Sequence, residues 1–137
     1  KKLTKYRGSS RSVCGELMNK AMVAAMGTME VNASMGLIVA APTAGSCGIL
    51  PGAIVTIGKE YNIDDETMVN SLFTAAAIGA IITRNATVSG AEGGCQAEVG
   101  TATAMAAAAY ASLLGLSIEE IEYYDDFIVI NKVVLQE

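Results

Sequence analysis

The apolar residues of this chain are mostly small, and this constrains the fold more than any other feature. Alanine occurs 22 times and glycine 14 times in 137 residues, whereas only 5% of the residues are aromatic. Alanine favours helices, and β-sheets are usually richer in aromatic side chains. The hydrophobic content of 52% also exceeds that of disordered proteins. The sequence therefore predicts an all-α fold, a compact Ala-rich helical domain with glycine-rich loops at its active site.

Helical periodicity begins near the N-terminus. Apolar residues recur every four positions, at Leu17, Ala21, Ala25 and Met29. A second stripe beside them, which we interpret as core, contains Met18, Met22 and Met26. This spacing predicts a helix over 13–30, with Ser12 as its N-cap and Cys14 in the core.

Capping residues delimit two further helices. Asp64 is typical of an N-cap, and the acidic residues that follow it suit the positive end of a helix over 65–84. An Ala-rich helix is predicted over 95–114, because Gly115 fits a left-handed C-cap.

The C-terminal part carries one clear signal. Ser117 and Glu120 have the spacing of a capping box, which predicts a fourth helix from Ile118. Residues 127–135 are rich in β-branched side chains and suit either a strand or a poorly packed helix. We expect three parts: a basic entry segment (1–11), a helical domain (12–116) and a divergent C-terminal tail (117–137).

Charge, histidine and cysteine content exclude several classes of protein. The net charge is −5, so a nucleic-acid partner is not expected, because phosphate binding needs a basic face. Histidine is absent, which excludes the Ser-His-Asp triad, the Cys-His pair and the two-histidine zinc helix. Three widely spaced cysteines favour reduced thiols and a cytoplasmic location.

Three uncharged stretches invite a test as membrane spans: 31–58, 67–83 and 99–118. Prolines and glycines interrupt the first, the second is short, and alanine supplies most of the apolar character of the third. Buried helices of a soluble protein explain these stretches better, so no membrane partner is expected.

Two glycine-rich segments lie between the predicted helices, and function is expected there. Residues 36–52 hold four glycines and two prolines, which suits a buried irregular loop with positive φ values and close backbone approach. Residues 89–95 (SGAEGGC) precede a helix, whose free N–H groups can hold a carboxylate, a phosphate or a cluster sulfide. Tight turns that merely bring Ala-rich helices together are the alternative.

Four runs of sequence are more specific: MEVNASMG (29–36), APTAGSCGILPG (41–52), RNATVSGAEGGCQAEVG (84–100) and the following TATAMAAAA. In this order they resemble the catalytic α chain of iron–sulfur-dependent L-serine dehydratase, over about residues 12–115. The resemblance implies a helical domain with a 4Fe-4S cluster and no pyridoxal phosphate. The implied reaction converts L-serine to pyruvate and ammonia, with an iron acting as Lewis acid at the β-hydroxyl.

The resemblance also implies roles for individual residues. Cys95 matches a cluster ligand of the family, whereas no ligand role is carried over to Cys47. The family-like motifs supply the substrate-binding candidates Asn32, Thr43, Gly45, Ser46, Asn85 and Ser89. Glu92 and Glu98 are weak candidates for the base that removes the α-proton, since the histidine-free chain suggests a base outside this segment.

The chain departs from the family pattern after the Ala-rich helix, where the complete enzymes carry further cysteines and this sequence has none. We therefore expect a partial catalytic domain that binds L-serine and associates with copies of itself or with a regulatory β subunit. Two alternatives stay open. One is a cysteine desulfidase-like lyase, and the other is an inert helical module that binds a partner chain.

Overall fold

The computed structural model describes residues 2–7, 13–121 and 123, and this part of the chain is helical, without a strand. Five α-helices follow one another: α1 (Lys2–Arg7), α2 (Gly15–Ala33), α3 (Ile49–Glu60), α4 (Asp65–Asn85) and α5 (Gly90–Leu113). A 3₁₀ turn at Ala44–Ser46 precedes α3. The predicted all-α fold is confirmed. Ser12 and residues 127–135 lie outside the described residues.

Helix α5 is the centre of the packing. Most of its alanines are buried, and it contacts both α3 and α4, while α2 packs against α3. The main core cluster joins α3, α4 and α5 through Leu50, Ile54, Ala75, Met105, Ala106 and Ala109. A second cluster joins the end of α5 to Ile121. The small residues of α5 thus let two helices approach it closely.

Close approach between α2 and α3 depends on glycine. A Cβ atom at Gly52 would lie 2.8 Å from the Cβ atom of Ala25, and one at Gly48 would lie 2.5 Å from the Ala25 carbonyl oxygen. Carbon–oxygen contacts are ordinarily about 3.3 Å or longer. Any larger residue at these two positions would push the helices apart.

The predicted helix caps around α4 and α5 are confirmed. The Asp64 carboxylate accepts a hydrogen bond of 2.9 Å from the Thr67 backbone N–H, and this bond lowers the pKa of Asp64 below its ordinary value. Gly115 adopts a φ of 71° after the end of α5, which a side chain would disfavour.

The capping box at the next helix is also confirmed. The Ser117 backbone N–H donates to the Glu120 carboxylate over 2.8 Å, and the Glu120 N–H donates to the Ser117 hydroxyl over 3.3 Å. The first of these bonds lowers the pKa of the Glu120 carboxyl. Residues 118–121 are helical, as the sequence predicts.

Two predictions about α2 are wrong. The methionine stripe is not core, because Met18, Met22 and Met26 are 53%, 38% and 55% exposed. The cysteine at the start of the helix, Cys14, is exposed as well, and α2 begins at Gly15 without a side-chain cap. The face is apolar, but nothing in the described part of the chain covers it.

The predicted loop over 36–52 is too long. Its last four residues begin α3, with Pro51 in the first turn, where a missing N–H costs no helical hydrogen bond. The loop is also only partly buried, since Leu37 and Val39 are 97% and 82% exposed.

Among the described residues, one helix, α4, is long enough and apolar enough to cross a membrane, judged by length and composition only. Its most apolar window is mostly exposed, so the burial expected for this stretch is not observed here. Helices of this kind also form the cores of soluble proteins.

Candidate active site

Two glycine-bearing segments meet at the carboxylate of Glu98. The 3₁₀ turn at Ala44–Ser46 lies against the beginning of α5, and the Thr43 hydroxyl just before this turn donates a hydrogen bond to Glu98 Oε1. Glu98 is half-buried on α5. The structure thus brings together Thr43 and Glu98, which are 55 residues apart in the sequence.

The glycines beside Glu98 are required for space. A Cβ atom at Gly45 would lie 2.8 Å from both carboxylate oxygens of Glu98, and one at Gly90 would lie 2.7 Å from Oε2. The positive φ values expected in the loop over 36–52 are not found at its glycines. Close approach, rather than backbone conformation, therefore explains Gly45.

Two more of the predicted substrate-binding residues hold the loop in place. The Ser46 side chain is buried, and its hydroxyl donates to the Ala41 carbonyl over 3.1 Å. The Asn32 amide donates to the Ala44 carbonyl over 2.9 Å, which ties the end of α2 to the 3₁₀ turn. Both side chains satisfy backbone groups of the loop.

The start of α5 has two parts. The Ser89 hydroxyl caps the helix by accepting a bond of 3.3 Å from the Ala91 N–H. Gly94 then interrupts the helix with φ 72° and ψ 174°, a conformation accessible essentially to glycine alone, and the continuous part begins at Cys95. The predicted start at residue 95 matches this second part, and the Cys95 thiol is exposed.

The remaining predicted residues lie outside the Glu98 cluster. The Asn85 amide donates to the Ile81 carbonyl of its own helix over 2.8 Å. The exposed carboxylate of Glu92 accepts a bond of 2.6 Å from the Thr87 hydroxyl. No hydrogen bond in the described part of the chain links either side chain to Glu98.

Comparisons with known proteins identify the family of this chain. The family model described as serine dehydratase alpha chain matches residues 1–126. The chain belongs to this family. It is 49% identical over 131 residues to the L-serine dehydratase, alpha chain, of Peptoniphilus asaccharolyticus, covering 96% of this chain and 45% of that protein. The match to residue 126 extends beyond the predicted helical domain, whose boundaries stay a prediction.

Other relatives carry similar names. The chain is 47% identical over 119 residues to the probable L-serine dehydratase, alpha chain, of Bacillus subtilis (strain 168), covering 87% of this chain and 40% of that protein. It is 45% identical over 94 residues to L-serine dehydratase 2 of Escherichia coli (strain K12), covering 68% of this chain and 21% of that protein. The chain thus spans less than half the length of these relatives. No solved structure matches it.

The thiols do not fit the complete cluster that the resemblance to the serine dehydratase family implies. Cys14 and Cys95 are exposed, whereas Cys47 is buried with its Sγ atom 3.6 Å from the Met29 Sδ atom. No group of three or more His, Cys, Asp or Glu side chains that could hold a metal occurs among the described residues. A four-iron cluster is ordinarily held by four thiolates. The three thiols of this chain are fewer than the four that such a cluster needs, and only Cys14 and Cys95 are exposed.

Sequence reasoning names Thr43, Gly45 and Glu98 separately but misses that they touch. It does not single out Gly90 at all. The available signal is that the two glycine-rich segments, 36–52 and 89–95, carry glycines beside polar residues, but a local pattern gives no distance between segments.

Proposed function

We propose that this chain forms part of the active site of an L-serine dehydratase, which eliminates water from L-serine to give pyruvate and ammonia. The relatives' names support this reaction. The observation that carries the proposal is the convergence of two family motifs on one half-buried carboxylate, Glu98, through Thr43, Gly45 and Gly90. A site at which two loops meet a charged group is typical of a small-molecule binding site.

The chemistry needs three operations on the substrate. L-serine must be bound, its Cα proton must be removed, and the β-hydroxyl must leave as water; the resulting 2-aminoacrylate then hydrolyses to pyruvate and ammonia. We propose that the 3₁₀ turn and the start of α5 bind and orient the substrate. Glu98 and Glu92 are the carboxylates here that could accept the proton, and Glu98 is the one enclosed by both motifs.

The resemblance further supports a 4Fe-4S cluster in the complete enzyme, with Cys95 as one ligand. The other ligands would come from residues outside this chain. In the chimera described below, reconstitution with iron and sulfide should give visible cluster absorbance that Cys95→Ala removes and Cys14→Ala, a change at the other exposed thiol, leaves intact.

The decisive experiment is a chimera. This chain replaces the matching 131-residue segment of the Peptoniphilus asaccharolyticus α chain. The chimera is produced together with any partner chain that the unmodified relative requires. The chimera is purified anaerobically, and pyruvate is measured with lactate dehydrogenase. Pyruvate from L-serine supports the proposal. Sulfide from L-cysteine without pyruvate from L-serine favours the desulfidase-like alternative, and a folded but silent chimera favours the inert module.

We also propose a partner surface and a cytoplasmic location. An open apolar groove of about 1140 Å³ lies between α2, α3 and α4. Apolar side chains that line this groove are exposed, including Val31, Leu37, Val39 and Val69. Large exposed apolar areas are typical of interaction surfaces. This supports assembly, either of copies of this chain or with a β chain, which the name of the α-chain relatives suggests.

A further inference from the structure

We infer that Glu98 is the receptor for the ammonium group of the substrate and that it selects amino acids over the corresponding hydroxy acids. This inference rests on the proposed function and assigns one group of L-serine to one side chain. It gives Glu98 a binding role, distinct from the removal of a proton.

The charge of Glu98 is not neutralised within the described part of the chain. Both ion pairs found there use Lys20, which contacts Glu16 and Glu60. Glu16 lies at the start of α2 and Glu60 at the end of α3, whereas the 3₁₀ turn lies near the end of α2 and the start of α3. A half-buried carboxylate without a cation has lost part of its hydration with little compensation. A bound cation would compensate the carboxylate for this lost hydration.

The carboxylate also has an oxygen available. Oε1 accepts the hydrogen bond from Thr43, whereas no described residue donates a hydrogen bond to Oε2. Oε2 instead lies beside the backbone of Gly90. A carboxylate oxygen accepts well from an N⁺–H group, and such charge-assisted bonds are the stronger class.

The backbones of Gly45 and Gly90 border the Glu98 carboxylate. Gly45 is exposed and Gly90 is half-buried, and a side chain at either position would lie against the carboxylate. Backbone rather than side chain therefore lies on these two sides of Glu98. The ammonium group of L-serine carries the charge that complements this carboxylate.

The test uses the active chimera described above and two ligands. The first is L-serine, and the second is 2,3-dihydroxypropanoate, which carries a hydroxyl where serine carries the ammonium. Glu98→Gln keeps the shape of the side chain and removes its charge. We expect the KM for L-serine to rise about 10- to 100-fold, the effect of losing one charged hydrogen bond. The inhibition constant of 2,3-dihydroxypropanoate should stay the same or fall.

Two further variants make the result specific. Glu98→Asp keeps the charge and should retain the preference for the amino acid, which also provides a charged variant should Glu98→Gln fold poorly. Glu119→Gln makes the same chemical change at an exposed residue of the helix after α5 and should leave both constants unchanged.

The outcomes are distinguishable. If the chimera turns over L-serine and Glu98→Gln weakens both ligands equally, Glu98 is merely structural and this inference is wrong, while the proposed function stands. An unchanged KM in Glu98→Gln overturns it in the same way. A folded chimera that makes no pyruvate overturns the proposed function and this inference together.

Discussion

A methyl group at Gly45 should destabilise the chain because it displaces the Glu98 carboxylate. The added Cβ atom would lie 2.8 Å from both carboxylate oxygens, about half an ångström closer than an ordinary carbon–oxygen contact of about 3.3 Å. Moving the carboxylate by that amount disrupts its hydrogen bond with Thr43. The displaced group is the end of a flexible side chain, so the cost is mainly that of the disrupted hydrogen bond, about 0.5–1.5 kcal/mol, and we expect Gly45→Ala to lower the free energy of unfolding by that amount.

Gly27→Ala is the matched control. Gly27 lies inside α2, has an ordinary φ, and a Cβ atom there would meet nothing within 4 Å. Alanine is favoured over glycine inside a helix by about 0.5–1 kcal/mol, so this variant should be more stable. The same chemical change thus has opposite signs at the two positions.

The assay is urea unfolding followed by circular dichroism, at one protein concentration. Glu98→Ala removes both the obstacle and the hydrogen bond, so adding Gly45→Ala to it should cost almost nothing, which gives a coupling energy of about 0.5–1 kcal/mol between the positions. If Gly45→Ala stabilises the chain as Gly27→Ala does, or if the two changes are additive, the contact between Gly45 and Glu98 does not exist as described.

Three other predictions concern the reactivity of the thiols, the acid dependence of stability and the oligomeric state. A disulfide reagent such as dithionitrobenzoate should modify Cys14 and Cys95 quickly and Cys47 only after unfolding, because Cys47 alone is buried. Folding lowers the pKa of Asp64, so the stabilisation by its carboxylate should be complete above about pH 5 and lost as pH falls through the lowered pKa. Asp64→Asn can still cap α4, and in urea unfolding it should abolish this acid dependence of stability. Sedimentation should detect an oligomer, and a monomer at all micromolar concentrations would contradict the proposed assembly.

The helices that sequence reasoning located best are those with local signals at their ends. Asp64 before α4 and Gly115 after α5 each act through bonds or dihedral angles within a few residues. Such signals are complete in the sequence itself, because the capping group and the helix it caps are neighbours in the chain. The predicted start of α4 at 65 and the predicted end of α5 at 114 therefore agree with the structure to within one residue, whereas α5 begins at Gly90, before the predicted start at 95.

Helix α3 was missed because its composition argues against a helix. It includes Pro51, Gly52 and Gly58, which favour turns in isolation. In the fold, Gly52 lies against Ala25, and Gly58 lies against the side chain of Met68. Packing against α2 and α4 thus outweighs the local preference, and packing partners are not visible in a local pattern.

The apolar face of α2 shows another limit. A four-residue repeat identifies an apolar face equally well whether the covering surface lies in the same chain or in another one. Met18 and Met26 fit the repeat, yet both are exposed in the described residues. Periodicity predicted the face correctly and its burial wrongly, since burial depends on what packs there.

The glycines of the two motifs have different functions: Gly94 sets the backbone conformation, and Gly45 leaves space for a neighbouring side chain. At Gly94 the backbone requires φ 72° while a Cβ atom would meet nothing, so this glycine turns the chain and starts the helix at Cys95. At Gly45 the φ is ordinary and space is lacking, so that glycine admits the carboxylate. Residues three apart lie on one face of a helix, about 5–6 Å apart at Cβ. The turn at Gly94 therefore places Cys95, the candidate iron ligand, one helical turn from Glu98, the inferred ammonium receptor.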